Sequence, residues 1–374
     1  MKNVLSIFVT MPVGGAEIFW LNVLQKLDRS RFNPITCCIA DKGVIGERIE
    51  GLGFEVIALD RMKGKGFDAR AALDIKKLIT NRKIDILHLH LYHAGMYGRI
   101  AAMLLPAQKR PKCIIHIHNV YSKIKPHRLF TSRLLAGYAD AVIAVSEPVK
   151  KDVVRYDKIP PEEVTVLPTC IDFDRMQVCL TKEEARELAG LPKDGILMGT
   201  VGRLVESKGH SDLIEAVSIL RKNGTRIKAV IIGGGRLEYK LREQAFSSGV
   251  AEDIIFMGER HDIPMLYRAM DIYVMPSLWE GAPLSLLDGM AAGMPSIVTS
   301  VGGMPEQLDN GSCGMIVPPG DPAAMANAIS DLISDEYRME EYSQKAKARS
   351  KEYYGSAKVA EKFQKIYLEL LKSE

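Results

Sequence analysis

Short apolar runs rich in β-branched residues alternate with segments of helical period along almost the whole chain. In the first half "NVLSIFVT" precedes the helical "AEIFWLNVLQKL", followed by "NPITCCIA" and "FEVIALD". "DARAALDIKKLITNRK" then precedes "IDILHLHL", "AAMLLPAQ" precedes "CIIHIHN", and "TSRLLAGYA" leads into "DAVIAVS". Strands separated by helices cannot pair as tight hairpins, so the alternation demands a mostly parallel sheet with helices on both faces. A second series runs through "GILMGTVGRL", "IKAVIIGGG", "DIIFMGE", "DIYVMPS", "PSIVTS" and "GMIVPP". Two Rossmann-like α/β domains are therefore expected, joined near "LPTCIDFDRM" (167–176), and 374 residues are too many for one ordinary core. The tail is helical in pattern. Its stripe of Phe363, Ile366, Tyr367, Leu370 and Leu371 is suited to pack on a domain.

A hydrophobic fraction of 47% and a charged fraction of 26% are those of a soluble globular protein. No apolar run reaches the roughly 18–20 residues of a membrane span. The opening "MKNVLSIFVTMPVGG" lacks a small-residue cleavage site and reads as a first buried strand. Cysteines 37, 38, 113, 170, 179 and 313 show no paired spacing, which favours a reducing cytoplasm and no structural metal. Residues 1–175 carry 27 Lys and Arg against 18 Asp and Glu, whereas the remainder carries 23 against 28. The basic half includes Lys109, Arg110, Lys112, Lys123, Lys125, Arg128 and Arg133. That surface suits an anionic membrane or a phosphate-bearing substrate, or is simply a solvated face.

Ligands of open α/β sheets collect outside the carboxyl ends of the strands, and the informative loops fall there. "PVGGAE" follows the first strand, with Gly14 and Gly15 opening a helix: either a plain turn or a place where a ligand meets the backbone. "GRLVESKGH" supplies Arg203 and Lys208, both able to reach a phosphate. The Gly233–Gly235 run lacks the GxGxxG arrangement, which argues against a dinucleotide site. In "SLWEGAPLSLLDGMAAGMPSIVTSVGG" (277–303), Glu280 lies in the loop after a strand and a helix is expected to begin near Pro283. Backbone N–H groups of Gly281, Ala282, Leu284 and Ser285 would face an anion there. Glu280 and Asp288 would accept from hydroxyls of the same ligand, or else merely favour the helix dipole.

Together these motifs resemble the retaining GT-B glycosyltransferases of family 4. The resemblance rests on "GGAE" (14–17), "DILHLHLYHAG" (85–95), "GRLVESKGHSDLIEA" (202–216), the long run from "FMGERHDIPMLYRAMDIYVMPS" to "SVGGMPE" (256–306) and "GMIVPPGD" (314–321). It implies a GT-B fold: two Rossmann-like domains facing across a cleft, with an acceptor-binding domain over 1–172 and a nucleotide-sugar-binding domain over 173–355. A C-terminal helix, 356–374, would cross back onto the first domain. It further implies that Arg203 and Lys208 neutralise the leaving diphosphate, while Glu280 and the backbone of 281–285, with Pro283 among them, hold sugar and phosphates. Asp288 would face the ribose, and Arg260 with its 258–260 loop would lie near the base. Gly14 and Gly15 would close over the phosphates, and His118 would stand beside the transferred sugar.

Two departures stand out. The family's second acid is usually Glu and is here Asp288, one methylene shorter. Its common Asn-Gly before Ile-Asp is here Thr169-Cys170, leaving the linker's donor contact in question. His88 and His90, two apart on a strand, are expected on opposite faces, and with His93 and His118 they lack acidic co-ligands, so no metal is expected. His90 either lines the acceptor side or is structural. No cofactor is implied beyond the nucleotide-sugar substrate, expected to carry UDP. Fixed cations and helix-start N–H groups can stabilise a leaving diphosphate without a divalent ion. The implied activity is transfer to a glycan or lipid-linked acceptor in bacterial surface polysaccharide synthesis, without nucleic acid as partner. A phosphorylase of the same fold and a non-catalytic nucleotide-sugar sensor are the alternatives. The segment 121–135 is expected to dock on an anionic inner-leaflet surface, with Phe130, Leu134 and Leu135 inserting and Lys123, Lys125 and Arg128 meeting lipid phosphates.

Overall fold

A computed structural model describes residues 1–62, 66–121 and 126–372. The chain forms two compact units, Met1–Cys170 with Ser356–Glu374, and Ile171–Gly355. The first unit contains β1 (Lys2–Phe8), β2 (Phe32–Cys38), β3 (Glu55–Ala58), β4 (Ile86–His90), β5 (Lys112–Ile117), β6 (Ala141–Ala144) and β7 (Val164–Val166). They form one parallel sheet in the order β3-β2-β1-β4-β5-β6-β7. The second unit contains β8 (Ile196–Val201), β9 (Ile227–Ile232), β10 (Ile254–Gly258), β11 (Ile272–Met275), β12 (Ser296–Thr299) and β13 (Met315–Val317). Its parallel order is β10-β9-β8-β11-β12-β13. In each sheet the order reverses once, between β1 and β4 or between β8 and β11. Loops leaving those strands at their carboxyl ends diverge to opposite faces and leave a crevice, which is where ligands of such sheets bind.

Strand alternation sorts the first unit's core into two layers. Val4 and Phe8 of β1 join the layer holding Trp20, Phe19 and Ile114, whereas Leu5 and Ile7 join Ile75, Leu87 and Tyr97 on the other face. In the first layer Trp20 Nε1–H donates to Thr36 Oγ1 at 3.2 Å. The helix Ser356–Lys372 seals this layer with Val359, Ala360, Phe363 and Tyr367. Each large side chain so buried contributes roughly 1.5–3 kcal/mol. The chain reaches this helix by breaking at Gly355, after the helix Glu336–Tyr354.

His88 and His90 point to the same face of β4. Their rings stack with centroids 4.2 Å apart, on the Trp20 side of the sheet. Side chains alternate with a period of two, so residues two apart share a face, and the expectation of opposite faces misapplied that period. Among the described residues no helix is long and apolar enough to cross a membrane.

Candidate functional site

The second unit brings Lys208 and Glu280 together at the β8/β11 reversal. β8 leads into Gly202, and the turn Glu206–Lys208 is followed by Gly209, which opens the helix His210–Lys222 with φ 63°. Any Cβ at Gly209 would lie 1.9 Å from the Pro276 carbonyl oxygen, so this left-handed residue has to be glycine for the loops after β8 and β11 to approach. They are tied by the Leu278 N–H donating to the Ser207 carbonyl at 2.8 Å. As a result Lys208 Nζ donates to Glu280 Oε1 at 2.5 Å, and Ser277 Oγ donates to the same oxygen at 3.1 Å. The two charged side chains are only 18% and 12% exposed. Arg203 is exposed and makes no ion pair among the described residues.

Pro283 is the N-cap rather than a first-turn residue, and the helix runs Leu284–Ala291. Its first N–H groups have no partner within the helix and carry the positive end of its dipole. The segment after β12 braces this start. Gly303 N–H donates to the Gly281 carbonyl at 2.6 Å. Gln307 Nε2 donates to the Pro283 carbonyl at 3.1 Å, and Thr299 Oγ1 to the Ser277 carbonyl at 2.5 Å. Arg349, from the helix Glu336–Tyr354, holds the brace by donating to the carbonyls of Gln307 and Glu306 at 2.9 and 2.8 Å. Sequence reasoning missed Gln307, Arg349 and Ser277, none of which carries a local pattern.

Asp288 lies one turn further into the helix and is largely buried. Burial pushes its carboxyl up to about 6; Arg175, at 3.8 Å, pulls it down and Asp172 raises it again. Arg175 was also missed, since nothing in the linker marks it. A folded-state pKa above the ordinary value of 3.8 means that Asp288 favours folding below about pH 4 and loses that contribution as pH rises through 6. Asp288→Asn is therefore expected to raise stability at pH 7.5 by about 1–3 kcal/mol and to change it little at pH 3.5. Denaturant melts at both pH values check this; equal effects at the two would place the cause elsewhere. Arg260 is engaged by Asp262 through two hydrogen bonds, at 2.9 and 2.6 Å.

In the first unit, Gly14 caps the helix Gly15–Leu24. A Cβ at Gly14 would meet the flexible Glu17 carboxylate, whereas one at Gly15 would meet nothing within 4 Å, so packing inside the chain does not require glycine there. His118 sits just past β5, nearly buried, its Nε2 3.2 Å from His90 Nδ1. Burial holds the His118 ring down at about 3, so it is neutral at neutral pH. His90 has no exposed surface: it stacks on Phe8 at 4.2 Å and packs against Trp20. It therefore does not line an acceptor surface and instead backs His118. His93 is half-buried on the next helix, outside this cluster. Of the expected docking segment, Phe130 and Leu134 are 69% and 68% exposed, but Leu135 is buried and cannot insert. Arg128 lies over the Tyr92 ring at 4.9 Å, and Lys123 and Lys125 fall outside the described residues.

Two doubly wound parallel α/β units, the second carrying a Lys–Glu pair and a braced helix start at its sheet reversal, define a GT-B architecture. Residues 13–175 match the family Glycosyltransferase Family 4, and residues 181–349 match Glycosyl transferases group 1. The chain belongs to this family, the GT-B glycosyltransferases of family 4. It is similar to the lipopolysaccharide core biosynthesis mannosyltransferase LpsB of Rhizobium meliloti, at 31% identity over 64% of this chain and 69% of that one. The UDP-Gal:alpha-D-GlcNAc-diphosphoundecaprenol alpha-1,3-galactosyltransferase of Escherichia coli is 26% identical, over 72% and 71%. A crystal structure of Anabaena HepE in complex with UDP and glucose superposes with a TM-score of 0.87 at 20% identity, covering 99% of this chain and all of that one.

Proposed function

We propose that the protein is a retaining glycosyltransferase that moves a sugar from a UDP-sugar to a glycan or lipid-linked glycan in bacterial surface polysaccharide synthesis. The observation that carries this reading is the Lys208–Glu280 pair at the carboxyl ends of β8 and β11, beside the Leu284–Ala291 helix start. A cation and helix-start N–H groups suit a departing diphosphate, and a carboxylate suits the hydroxyls of a sugar. UDP as the carrier, and the acceptor class, are supported by what the E. coli relative and the HepE complex are named for.

In this reading Lys208 and Arg203 take up the charge that develops as the anomeric carbon–phosphate oxygen bond breaks. Glu280 and the backbone of 281–285 hold sugar and phosphates, Asp288 the ribose, and the 258–260 loop with Arg260 the base. Gly14 and Gly15 offer backbone to the phosphates, and His118 presents a neutral imidazole to the transferred sugar. Front-face attack joins the acceptor oxygen to the anomeric carbon, and the acceptor's proton passes to the leaving phosphate oxygen. Charge stabilisation by these fixed groups requires no divalent ion for leaving-group departure. Donor hydrolysis in EDTA, followed by mass spectrometry across UDP-, GDP-, ADP- and dTDP-sugars, is expected to release UDP from one donor and to fail in Glu280→Ala. Tight donor binding without release, even with acceptor extracts, would favour a sensor instead.

The same reading places the enzyme in the cytoplasm, at the membrane's inner leaflet. Phe130 and Leu134 project four residues apart from one side of the helix Pro126–Leu134, beside Arg133. Two exposed apolar side chains beside a cation suit anionic lipid. Co-sedimentation with phosphatidylglycerol vesicles at low salt is expected to fall at least several-fold in the Phe130→Ser, Leu134→Ser double variant. Equal sedimentation would remove this helix from membrane contact.

A further inference from the structure

The first unit's sheet holds four imidazoles on one face: His88 and His90 from β4, His116 from β5, and His118 just beyond it. Three of them, His88, His90 and His116, are completely buried. Their walls are aromatic. Phe8 stacks on His90, Trp20 meets His88 and His90 at 5.4 and 5.2 Å, and Phe363 meets His88 and His116 at 5.4 and 5.6 Å. Burial holds every ring of the cluster below the ordinary imidazole range, so each is neutral at neutral pH, with one N–H and one lone pair.

The hydrogen bonds are unevenly distributed. His88 Nδ1 is 2.8 Å from the Tyr367 hydroxyl and His90 Nδ1 is 3.2 Å from His118 Nε2. Among the described residues, Nε2 of His88, Nε2 of His90 and both nitrogens of His116 have no hydrogen-bond partner. Buried polar atoms are almost always paired, and a run of unpaired imidazole nitrogens inside an aromatic wall is a costly arrangement unless something binds them.

We propose that His88, His90 and His116 bind a late first-row transition ion with a filled d shell, Zn(II) or Cu(I), as a structural centre of this unit. One nitrogen from each ring lies within 4.8 Å of the others. Their common centre is therefore within about 2.8 Å of each, and the stacked rings have to turn for their in-plane lone pairs to converge at the ~2.0–2.1 Å of a zinc–imidazole bond. Neutral imidazoles suit zinc and copper, whereas magnesium and calcium take oxygen ligands. His88 Nδ1 contacts Tyr367 Oη and His90 Nδ1 contacts His118 Nε2; with the Nδ1–H tautomer at both, Nε2 would be the lone pair left for the ion. Metal-binding histidines characteristically donate their second ring N–H in this way. Tyr367 ties the centre to the helix Ser356–Lys372, so the ion would help fasten that helix to the sheet. Among the described residues no carboxylate belongs to the cluster, a set that accommodates a singly charged ion as readily as zinc. The centre takes no part in leaving-group departure; the expectation of no metal rested on the lack of acidic co-ligands as well as on His88 and His90 pointing apart.

The test uses the full chain without a histidine tag, unfolded in chelator and refolded with excess Zn(II) or with Cu(I) under ascorbate, then dialysed. Elemental analysis is expected to find about one ion per chain with one of the two metals, retained against EDTA and raising the melting temperature. X-ray absorption is expected to show a nitrogen-only ligand shell at about 2.0 Å. His116→Phe, which fills the space with an apolar ring, is expected to lower occupancy at least ten-fold. Retention below a tenth of an equivalent with both metals, or full occupancy in His116→Phe, would overturn the proposal. Should that variant not fold, the wild-type spectrum decides: sulfur or a mainly oxygen shell overturns it too.

Discussion

Lys208→Met is expected to lower donor turnover by about 10²–10³-fold, the usual effect of removing one preorganised group that stabilises transition-state charge. The same substitution also strands Glu280, whose carboxylate is 12% exposed and faces Lys208 at 2.5 Å. Removing one partner of a fully buried pair costs about 3–5 kcal/mol. Partial exposure reduces that, and a loss of about 1–3 kcal/mol is expected here. Activity and stability therefore fall together in the single variant and have to be separated. Lys208→Met combined with Glu280→Gln removes both charges, so its melting temperature is expected to recover most of the way to wild type. On the proposed function turnover does not recover, because neither the group proposed to counter the diphosphate nor the one proposed to hold the sugar returns. Thermal melts and single-turnover UDP release distinguish the two contributions. A double variant that regained turnover would show that the pair serves only the fold.

The β–α alternation was legible because buried parallel strands read as short apolar runs and the helices between them carry a different period. β7 was not, since Val164–Val166 is three residues long, with Thr165 exposed between its neighbours. The loops bearing Gly14, Lys208 and Glu280 could be assigned to strand ends from order alone. What order could not provide was contact: Lys208 and Glu280 are 72 residues apart and meet because β8 and β11 are neighbours across the sheet reversal. Arg175, Gln307 and Arg349 were invisible for the same reason, each acting on a residue distant in sequence. The histidines were misread locally. His116 was not singled out, and His88 and His90 were placed on opposite faces, so a cluster built from two adjacent strands went unseen. Leu135 follows Leu134 without a break in pattern, yet the end of the helix Pro126–Leu134 turns it into the core.

Gly302→Ala is expected to remove both activity and about 3 kcal/mol or more of stability in the second unit. Gly302 has φ 55°, and a Cβ there would lie 2.1 Å from the Glu280 carbonyl oxygen and 2.8 Å from that of Gly281. Left-handed backbone costs a residue with a Cβ about 1–2 kcal/mol by itself. The atoms it would strike are backbone, which cannot swing aside as a side chain could. Relief requires the 280–281 peptide to move, and with it the Glu280 carboxylate and the hydrogen bond from Gly303 N–H to the Gly281 carbonyl. A displacement of about 1 Å in a group that positions a reacting centre costs about 10²-fold in rate. Gly15→Ala is the contrasting case. Its new methyl meets no atom of the described residues within 4 Å, and alanine is the better helix former, so the melting temperature should hold or rise. If the Gly15 backbone meets the donor's phosphates, that methyl intrudes on the ligand alone and KM rises several-fold with the fold intact. Melting curves and donor kinetics on the two variants thus separate a glycine required by the chain's own packing from one required by its substrate. A Gly15→Ala protein with unchanged KM would remove the first unit's glycines from phosphate binding.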